Sequence, residues 1–236
     1  MQKGTLFLIP CSLGENVIDR SIVPALKDTI NQLDEFIVEN EKSARKFLKE
    51  VGITKPQSEL IMHDYGKHSR DGDQAKFLAS LEKGKDVGLL SEAGCPAIAD
   101  PGSDIVALAH QKGIKVVPFV GPSSLLLALM GSGFNGQGFA FHGYLPIDKG
   151  ERSRKLKELE SLSQRLKQTQ LFIETPFRNN QLLDDMLKNC QSGTELCIAC
   201  DLTLDTEFLK TKTIAQWKAD KPDLHKRPTV FVLYKR

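Results

Sequence analysis

Short apolar runs alternate with segments of helical periodicity along the chain, and this alternation is the strongest constraint on its fold. The runs that we expect to form buried strands in the first half are Leu6–Ile9, Phe36–Val38, Leu60–Met62, Val87–Leu90 and Val116–Phe119. The helices expected between them are Glu41–Val51, Gln74–Lys83 and Asp104–Gln111. Strands that alternate with helices predict a parallel sheet with both faces covered.

The same alternation continues in the second half of the chain. Its strand candidates are Leu171–Glu174, Leu196–Cys200 and Val230–Tyr234, with Thr206–Lys210 as a further strand beside Leu196–Cys200. Its helix candidates are Asn180–Leu187 and Glu151–Leu166, the latter with leucines on one stripe. A chain of 236 residues can build two small cores. We therefore predict an α/β fold with two domains, 1–119 and 120–236.

Composition excludes several classes of protein. A hydrophobic share of 40% and a charged share of 26% are typical of a globular protein. The apolar run Thr5–Ile9 is too short to span a bilayer and lacks the features of a secretory signal, which predicts a cytoplasmic protein without a membrane partner. The net charge of +2 permits an anionic partner without indicating one.

The cysteines are expected to be reduced thiols in the core. Their number is five, which is odd, and their spacing matches no disulfide framework. Cys197 and Cys200 are three residues apart in an expected strand, so their side chains point to opposite faces of the sheet. They are therefore poor ligands for one ion, and no metal site is predicted.

A glycine pattern in the middle of the chain is misleading. Gly131–Gly136 matches G-x-G-x-x-G, which binds dinucleotides when it follows a strand and opens a helix. Here the glycines follow Ser124–Met130, which is expected to be a helix itself. They indicate a helix end and a loop rather than a nicotinamide site.

The most informative segment is Ser91–Gly102, which reads SEAGCPAIADPG. It follows a buried strand, at the edge where open α/β sheets bind ligands. Its glycines and prolines fix the backbone, and its small residues allow a ligand to approach closely. Glu92 and Asp100 could accept hydrogen bonds from a polar or cationic ligand. The alternative is a rigid connecting loop without a ligand.

Together with five other segments of the chain, this loop resembles the tetrapyrrole methylase superfamily, the class III S-adenosylmethionine-dependent methyltransferases. Within that superfamily the chain is most similar to the branch of ribosomal RNA small subunit methyltransferase I, which methylates ribose 2′-hydroxyls. The branch carries D-A-G-T-P-x-I-S-D-P-G, G-P-S-A, G-F-L-P, K-x-G-x-R, Y-E-x-P-H-R and R-E-L-T. The matching segments are Ser91–Gly102, Gly121–Ser124, Gly143–Pro146, Lys149–Arg152, Ile173–Arg178 and Cys200–Thr203.

The resemblance implies two α/β domains with a cofactor cleft between them, a homodimer, and S-adenosylmethionine as the cofactor. It implies that the backbone of Glu92, Ala93, Gly94, Cys95 and Pro96 surrounds the amino-acid and ribose portions of the cofactor. Pro10, in the entrance loop, and Ser123 and Ser124 would add contacts. The segments that would hold the adenine are Leu202–Thr203 and Pro228–Thr229.

The segments that correspond to the substrate side of the family differ more from the family's motifs than the cofactor-side segments do. Its E-D-T-R corresponds to Glu39–Lys42, and its H-E-H-N corresponds to His63–Gly66. Three functions stay open: methylation of small-subunit ribosomal RNA, methylation of a tetrapyrrole or other small molecule, and cofactor binding without catalysis. The whole-length resemblance favours RNA, and the altered segments favour a small molecule.

A hydroxyl acceptor requires a base that takes its proton. The candidates are Glu39, Lys42 and Asp64. His63 and His68 flank a polar loop and could also line an active site, although histidines in such loops are commonly only solvated. The basic stretch Lys149–Lys157 could hold RNA phosphates or form a solvated helix face.

Overall fold

The computed structural model describes residues 2–66 and 74–236. Contacts between residues divide the chain into two compact units. Unit 1 extends to Ser123, and unit 2 runs from Ser124 to Arg236. Each unit contains its own five-stranded sheet.

Unit 1 is built on a parallel sheet. Its strands are β1 (Thr5–Ile9), β2 (Glu35–Val38), β3 (Ile61–Asp64), β4 (Val87–Leu90) and β5 (Lys115–Pro118). Their order is β3-β2-β4-β1-β5, and every neighbouring pair is parallel. The predicted strands and their parallel pairing are confirmed, with shifts of one or two residues at the ends.

The helices of unit 1 lie in the connections between these strands. They are α1 (Ile18–Ser21), α2 (Pro24–Gln32), α3 (Glu41–Val51), α4 (Ala79–Glu82) and α5 (Ser103–Gln111). Helix α3 has the predicted bounds because the Asn40 side chain accepts hydrogen bonds from two amides of the first turn, and Gly52 ends the helix at φ +84°. The predicted helix Gln74–Lys83 is instead a 3-10 helix, Gln74–Leu78, followed by α4.

Two hydrophobic clusters show that both faces of this sheet are covered. One contains Ile9, Phe36 and Leu90 from the strands and residues such as Ile30 and Leu48 from the helices. The other combines strand residues such as Leu6 and Leu89 with Ile105 of α5. Successive strand residues belong to opposite clusters, as the period of two of a buried strand requires.

Unit 2 contains a mixed sheet. Its strands are β6 (Phe139–Tyr144), β7 (Thr169–Ile173), β8 (Glu195–Cys200), β9 (Phe208–Thr213) and β10 (Thr229–Tyr234), in the order β6-β7-β10-β8-β9. Strands β6 and β7 are parallel, whereas β10 is antiparallel to both of its neighbours and β8 is antiparallel to β9. The alternating pattern therefore does not produce an all-parallel sheet in this half.

Four helices complete the part of unit 2 that the structure describes: α6 (Ser124–Ser132), α7 (Lys149–Leu166), α8 (Asn179–Asn189) and α9 (Ile214–Ala219). Leucines of α7 and α8 pack with Phe172 and Phe231 of the sheet in one core. Cys197 and Cys200 are fully buried in β8, in agreement with the predicted core role. None of the helices in the described ranges combines the length and apolarity needed to cross a membrane.

The glycine pattern after α6 is a helix end, as predicted. Helix α6 stops at Ser132, and Gly133 follows in a left-handed conformation with φ +76°. A nicotinamide-binding turn would require a strand before these glycines, and α6 stands there instead.

Candidate functional site

The carboxyl ends of all five strands of unit 1 lie at one edge of its sheet, because the strands are parallel. The segments that leave this edge include Pro10–Glu15 after β1, Ser91–Gly102 after β4 and Phe119–Ser123 after β5. Strands β4, β1 and β5 are direct neighbours. The fold thus places these three loops side by side.

Backbone contacts join the loops after β1 and β4. Cys11 and Gly94 form a bridge in which the Cys11 amide donates to the Gly94 carbonyl at 2.8 Å and the Gly94 amide donates to the Cys11 carbonyl at 3.0 Å. Gly94 has φ +74°, a conformation that side chains oppose, so the bridge depends on glycine at this position.

The loop after β5 packs against the same place. A Cβ on Gly121 would lie 2.1 Å from Cγ of Pro10, so the Pro10 ring can pack against this backbone only because residue 121 is glycine. The Cys95 thiol donates a weak hydrogen bond to the Pro122 carbonyl at 3.4 Å. Pro10, Gly94 and Cys95, which were singled out from the sequence, are thereby brought together.

The loop Ser91–Gly102 has an unusual backbone. Positive φ values occur at Gly94 (+74°), Ala97 (+67°), Ala99 (+63°) and Gly102 (+123°). A left-handed conformation costs a non-glycine residue about 1–2 kcal/mol. Such cost is tolerated where the surrounding structure requires the shape, and it is common at ligand-binding sites.

A pocket of about 170 Å³ opens beside this loop, between the β1 loop and α3. Its lining includes Glu92 and Ala93, both exposed. The Ser43 hydroxyl donates to Oε1 of Glu92 at 3.2 Å, which directs the carboxylate towards α3. Lys46 and Glu15, which also line the pocket, form an ion pair with each other.

The two cysteines of this region are not activated. Burial raises the pKa of the Cys95 thiol, and burial together with the nearby Asp100 carboxylate raises that of Cys11. Both are therefore neutral thiols near pH 7, and neither is a thiolate nucleophile. The loop contributes backbone amides, carbonyls and shape rather than covalent chemistry.

The three candidate bases lie at the carboxyl ends of β2 and β3 or just beyond them, at the same edge of the sheet. Glu39 is half-buried directly after β2, and Asp64 ends β3, with Val38 and Asp64 paired in register. The Asp64 carboxylate accepts a hydrogen bond from the Gly66 amide at 2.6 Å. Lys42 is exposed in the first turn of α3. Glu39 and Asp64 thus lie at the ends of neighbouring strands, and Lys42 lies three residues beyond Glu39.

His63 has a structural partner. Its Nε2 lies 2.7 Å from Oε1 of Glu35, the buried first residue of β2, at the beginning rather than the carboxyl end of that strand. His68 lies outside the described residues. Within the described ranges, no group of three or more histidine, cysteine or carboxylate side chains could hold a metal ion.

Four segments singled out from the sequence meet at one edge of the unit 2 sheet. Tyr144 at the end of β6 is in register with Ile173 at the end of β7, and Val230 of β10 pairs with Ile173. Thr229 in turn pairs with Cys200 at the end of β8. The segments at this edge are Leu145–Pro146, Glu174–Arg178, Asp201–Thr203 and Arg227–Thr229.

An ionic network fixes the loop after β8. Oδ2 of Asp201 accepts hydrogen bonds from Nε of Arg227 at 2.8 Å and from the Thr206 hydroxyl at 2.9 Å. The Asp201 amide donates to the Pro228 carbonyl at 2.9 Å, which ties this loop to the start of β10. Sequence reasoning missed the role of Arg227, although an arginine directly before Pro228 was the available signal.

Thr203 carries a hydroxyl that can serve a ligand. Its φ is +74°, its amide donates to Glu207 at 2.7 Å, and its buried Oγ1 has no hydrogen-bond partner in the described part of the chain. A buried hydroxyl without a partner costs about 1–3 kcal/mol. The hydroxyl of Thr229, by contrast, donates to the Arg227 carbonyl at 3.0 Å.

The prediction that the basic stretch Lys149–Lys157 holds phosphates is wrong for Arg152. That side chain is 4% exposed and pairs with the buried Asp185 of α8 through Nη2 at 2.5 Å and Nε at 2.8 Å. Its Nη1 donates to the carbonyls of Pro146 and Ile147 at 3.1 and 2.6 Å. Arg152 therefore holds the loop after β6 against α8 and cannot face a phosphate.

Two solved structures with this fold are methyltransferases. A crystal structure of the methyltransferase CobJ superposes with a TM-score of 0.65 at 14% identity, covering 100% of this chain and 95% of its own. Uroporphyrin-III-C-methyltransferase from Thermus thermophilus gives a TM-score of 0.55 at 14% identity, covering 100% of this chain and 93% of its own. The fold is thus that of the tetrapyrrole methylases.

Relatives that are similar in sequence indicate a more specific family than the solved structures do. Ribosomal RNA small subunit methyltransferase I of Vibrio cholerae is 30% identical over 97% of this chain and 76% of its own length. The protein of that name from Bacillus subtilis is 32% identical over 90% of this chain and 68% of its own length. The relative of that name from Halalkalibacterium halodurans is 33% identical over 78% of this chain and 60% of its own length. No family model matches the chain.

The chain belongs to the ribosomal RNA small subunit methyltransferase I family. It is a methyltransferase, and the methyltransferases of this family use S-adenosylmethionine.

Proposed function

We propose that this protein transfers a methyl group from S-adenosylmethionine to a ribose 2′-hydroxyl of small-subunit ribosomal RNA. The observation that carries the proposal is the similarity to the Vibrio cholerae relative, which extends over 97% of this chain. The positions of the shared motifs support it, because they lie at the carboxyl edge of the unit 1 sheet and at one edge of the unit 2 sheet.

The residues at these two edges fit the cofactor. Backbone groups of Glu92–Pro96 surround the contact between Gly94 and Cys11, and the Glu92 carboxylate can attract a positively charged ligand. The unpartnered hydroxyl of Thr203 is a hydrogen-bonding group suited to the adenine, with Leu202, Pro228 and Thr229 beside it. Ser123 and Ser124, both half-buried, offer further hydroxyls. The location of the cofactor relative to the two domains stays a prediction.

When bound, S-adenosylmethionine supplies an electrophilic methyl group. The protein must hold the acceptor in line with it, exclude water, and remove the hydroxyl proton. Glu39, Lys42 and Asp64 are our candidates for the last task. Glu39 and Asp64 are carboxylates at adjacent strand ends, and Lys42 adds a positive charge near Glu39.

Labelled S-adenosylmethionine and purified small ribosomal subunits test the proposal directly. The subunits come from a strain that lacks the gene, so that the target ribose is unmethylated. We expect label to enter the RNA as a ribose methyl group, which makes the adjacent phosphodiester resistant to alkali because its 2′-hydroxyl is blocked. The control is the same mixture with subunits from the parent strain, whose target is already methylated.

Two results would contradict this assignment. If intact subunits and naked RNA stay unlabelled while a tetrapyrrole accepts the methyl group, the acceptor is a small molecule. If S-adenosylmethionine binds but none of these acceptors is labelled, the chain binds the cofactor without catalysis.

We also propose that the protein works in the cytoplasm as a homodimer. The cytoplasmic location follows from the proposed substrate, since small ribosomal subunits reside there. The dimer follows from family resemblance and from the prevalence of two-fold assemblies. We expect sedimentation equilibrium at micromolar concentration to give twice the mass of one chain. A single species with the mass of the monomer across that range would reject the dimer.

A further inference from the structure

An aromatic side chain stands exposed at the edge of unit 2 where the shared motifs meet. Phe177 follows β7 and is 69% exposed. Isolated exposed apolar residues are common on protein surfaces and need no function. Phe177 differs because its turn is rigid and a lysine lies beside its ring.

The turn that carries Phe177 is fixed on both sides. The Arg178 amide donates to the Thr175 carbonyl at 2.8 Å. The Arg178 guanidinium donates to Oε1 of the buried Glu174 through Nη2 at 2.6 Å and Nε at 3.1 Å. From the other side, the Lys226 amide donates to the Pro176 carbonyl at 3.0 Å. The ring therefore projects from a backbone that is already ordered before a ligand arrives.

Two basic side chains flank the ring. Nζ of Lys226 lies over the ring at 5.9 Å from its centroid, and the His225 ring stands edge-on to it at a centroid distance of 6.0 Å. Lys226 has φ +61°, which shows that its backbone is held in a position that lysine rarely adopts. Asp223 lies near these residues, but its carboxylate accepts hydrogen bonds from the His225 amide and the Asn180 side chain.

Proteins bind unpaired RNA by stacking bases on exposed aromatic rings and by placing cations near the phosphates. Phe177, His225 and Lys226, which we call the aromatic–basic patch, supply both features. The patch is continuous with the proposed cofactor segments, because Lys226 precedes Pro228 by two residues and Pro228 is bonded to Asp201. The patch therefore lies at the same edge of unit 2 as these segments.

We propose that the aromatic–basic patch holds an unpaired nucleotide of the RNA substrate, with its base stacked on Phe177 and a phosphate near Lys226. The proposal rests on the proposed function and adds a substrate-binding surface to it. The negative charge of RNA complements the patch, which favours RNA over an acidic protein as the occupant because only RNA also offers bases for stacking.

Substitutions that separate stacking from charge test the patch. The probe is a fluorescent single-stranded RNA of about 12 nucleotides, which covers one typical site size, and the readout is anisotropy. Phe177→Ala should weaken binding about tenfold, which corresponds to 1.4 kcal/mol and lies within the range for one stacked base. Phe177→Trp should restore the affinity, because tryptophan supplies a larger face for stacking.

Lys226→Ala should act through charge instead. It should reduce the slope of log Kd against log salt by about 0.7, the value for one phosphate contact on a single strand. Phe177→Ala should leave that slope unchanged. The matched control is Lys218→Ala, an exposed lysine in the last turn of α9, which should change neither affinity nor slope.

Two further measurements show which proposal fails. If the wild-type protein neither binds the RNA nor methylates small subunits, the proposed function fails and the patch fails with it. If the wild-type protein methylates subunits, and the Phe177→Ala variant binds RNA and methylates subunits as well as the wild type, only the patch is rejected. Calorimetry with S-adenosylmethionine should give the same Kd for all variants, and a loss there would instead reveal a structural role for Phe177.

Discussion

Replacing Arg152 with alanine should lower the free energy of unfolding by about 3–5 kcal/mol, the usual cost of removing one partner from a buried ion pair. The guanidinium and the Asp185 carboxylate are 4% and 7% exposed. Without Arg152, Asp185 stays buried as an unpaired charge and the carbonyls of Pro146 and Ile147 lose their donors. Chemical denaturation followed by circular dichroism measures this loss.

Arg154→Ala is the matched control on the same helix. The Arg154 side chain is 81% exposed and lies 4.0 Å from Glu151, so its removal should cost less than about 1 kcal/mol. The double variant Arg152→Met with Asp185→Leu should recover most of the lost stability, because it removes both buried charges. If Arg152→Ala unfolds like the wild-type protein but binds RNA more weakly, the arginine serves the substrate and the structural assignment is wrong.

The sequence predicts unit 1 better than unit 2, for physical reasons. The central strands β2 and β4 of unit 1 are buried along their whole length, and β4 is a continuous apolar run, Val87–Leu90. Strand β6 lies at the edge of the unit 2 sheet and is only partly buried. Its sequence, FAFHGY, contains a histidine and a glycine and follows a glycine-rich loop, which hides the strand pattern.

Local sequence patterns also do not predict the direction of the strands in unit 2. The strand beside Leu196–Cys200 is predicted and confirmed, although it spans Phe208–Thr213 rather than Thr206–Lys210. The antiparallel insertion of β10 between β7 and β8 depends on long-range pairing, which apolar periodicity does not encode. Helix α2 was not predicted, although the sequence carries its signals: Pro24 stands at its first turn, and Leu26 and Ile30 are one helical turn apart.

The role of single side chains at the site depends on distances that no sequence pattern contains. Sequence spacing places Arg152 in a basic cluster, yet the fold turns it inward towards Asp185. The contact of Gly121 with Pro10 and the bridge between Gly94 and Cys11 join residues about 80–110 positions apart. The motifs identified by resemblance name these residues, and the parallel sheet explains why they meet.

Replacing Gly94 with valine should weaken the binding of S-adenosylmethionine by at least about tenfold, or 1.4 kcal/mol. Gly94 has φ +74°, where a non-glycine residue costs about 1–2 kcal/mol and a β-branched one is a rare outlier. Its Cβ would also contact Leu13 at 3.4 Å and the Pro122 carbonyl at 3.7 Å. The loop would therefore shift, and the backbone groups of Glu92–Pro96 would lose the arrangement proposed to hold the cofactor.

Gly113→Val separates this effect from backbone strain alone. Gly113 has φ +62°, a Cβ there would meet no atom within 4 Å in the described structure, and it precedes β5, at the opposite edge of the sheet from Gly94. Both variants should lose stability through the same strain, but only Gly94→Val should lose cofactor affinity. Isothermal titration calorimetry measures the affinity of each variant for S-adenosylmethionine and for its demethylated product. Equal affinities for wild type and Gly94→Val would exclude the loop Ser91–Gly102 from the cofactor site, because strain and crowding at its centre would then have no effect on the ligand.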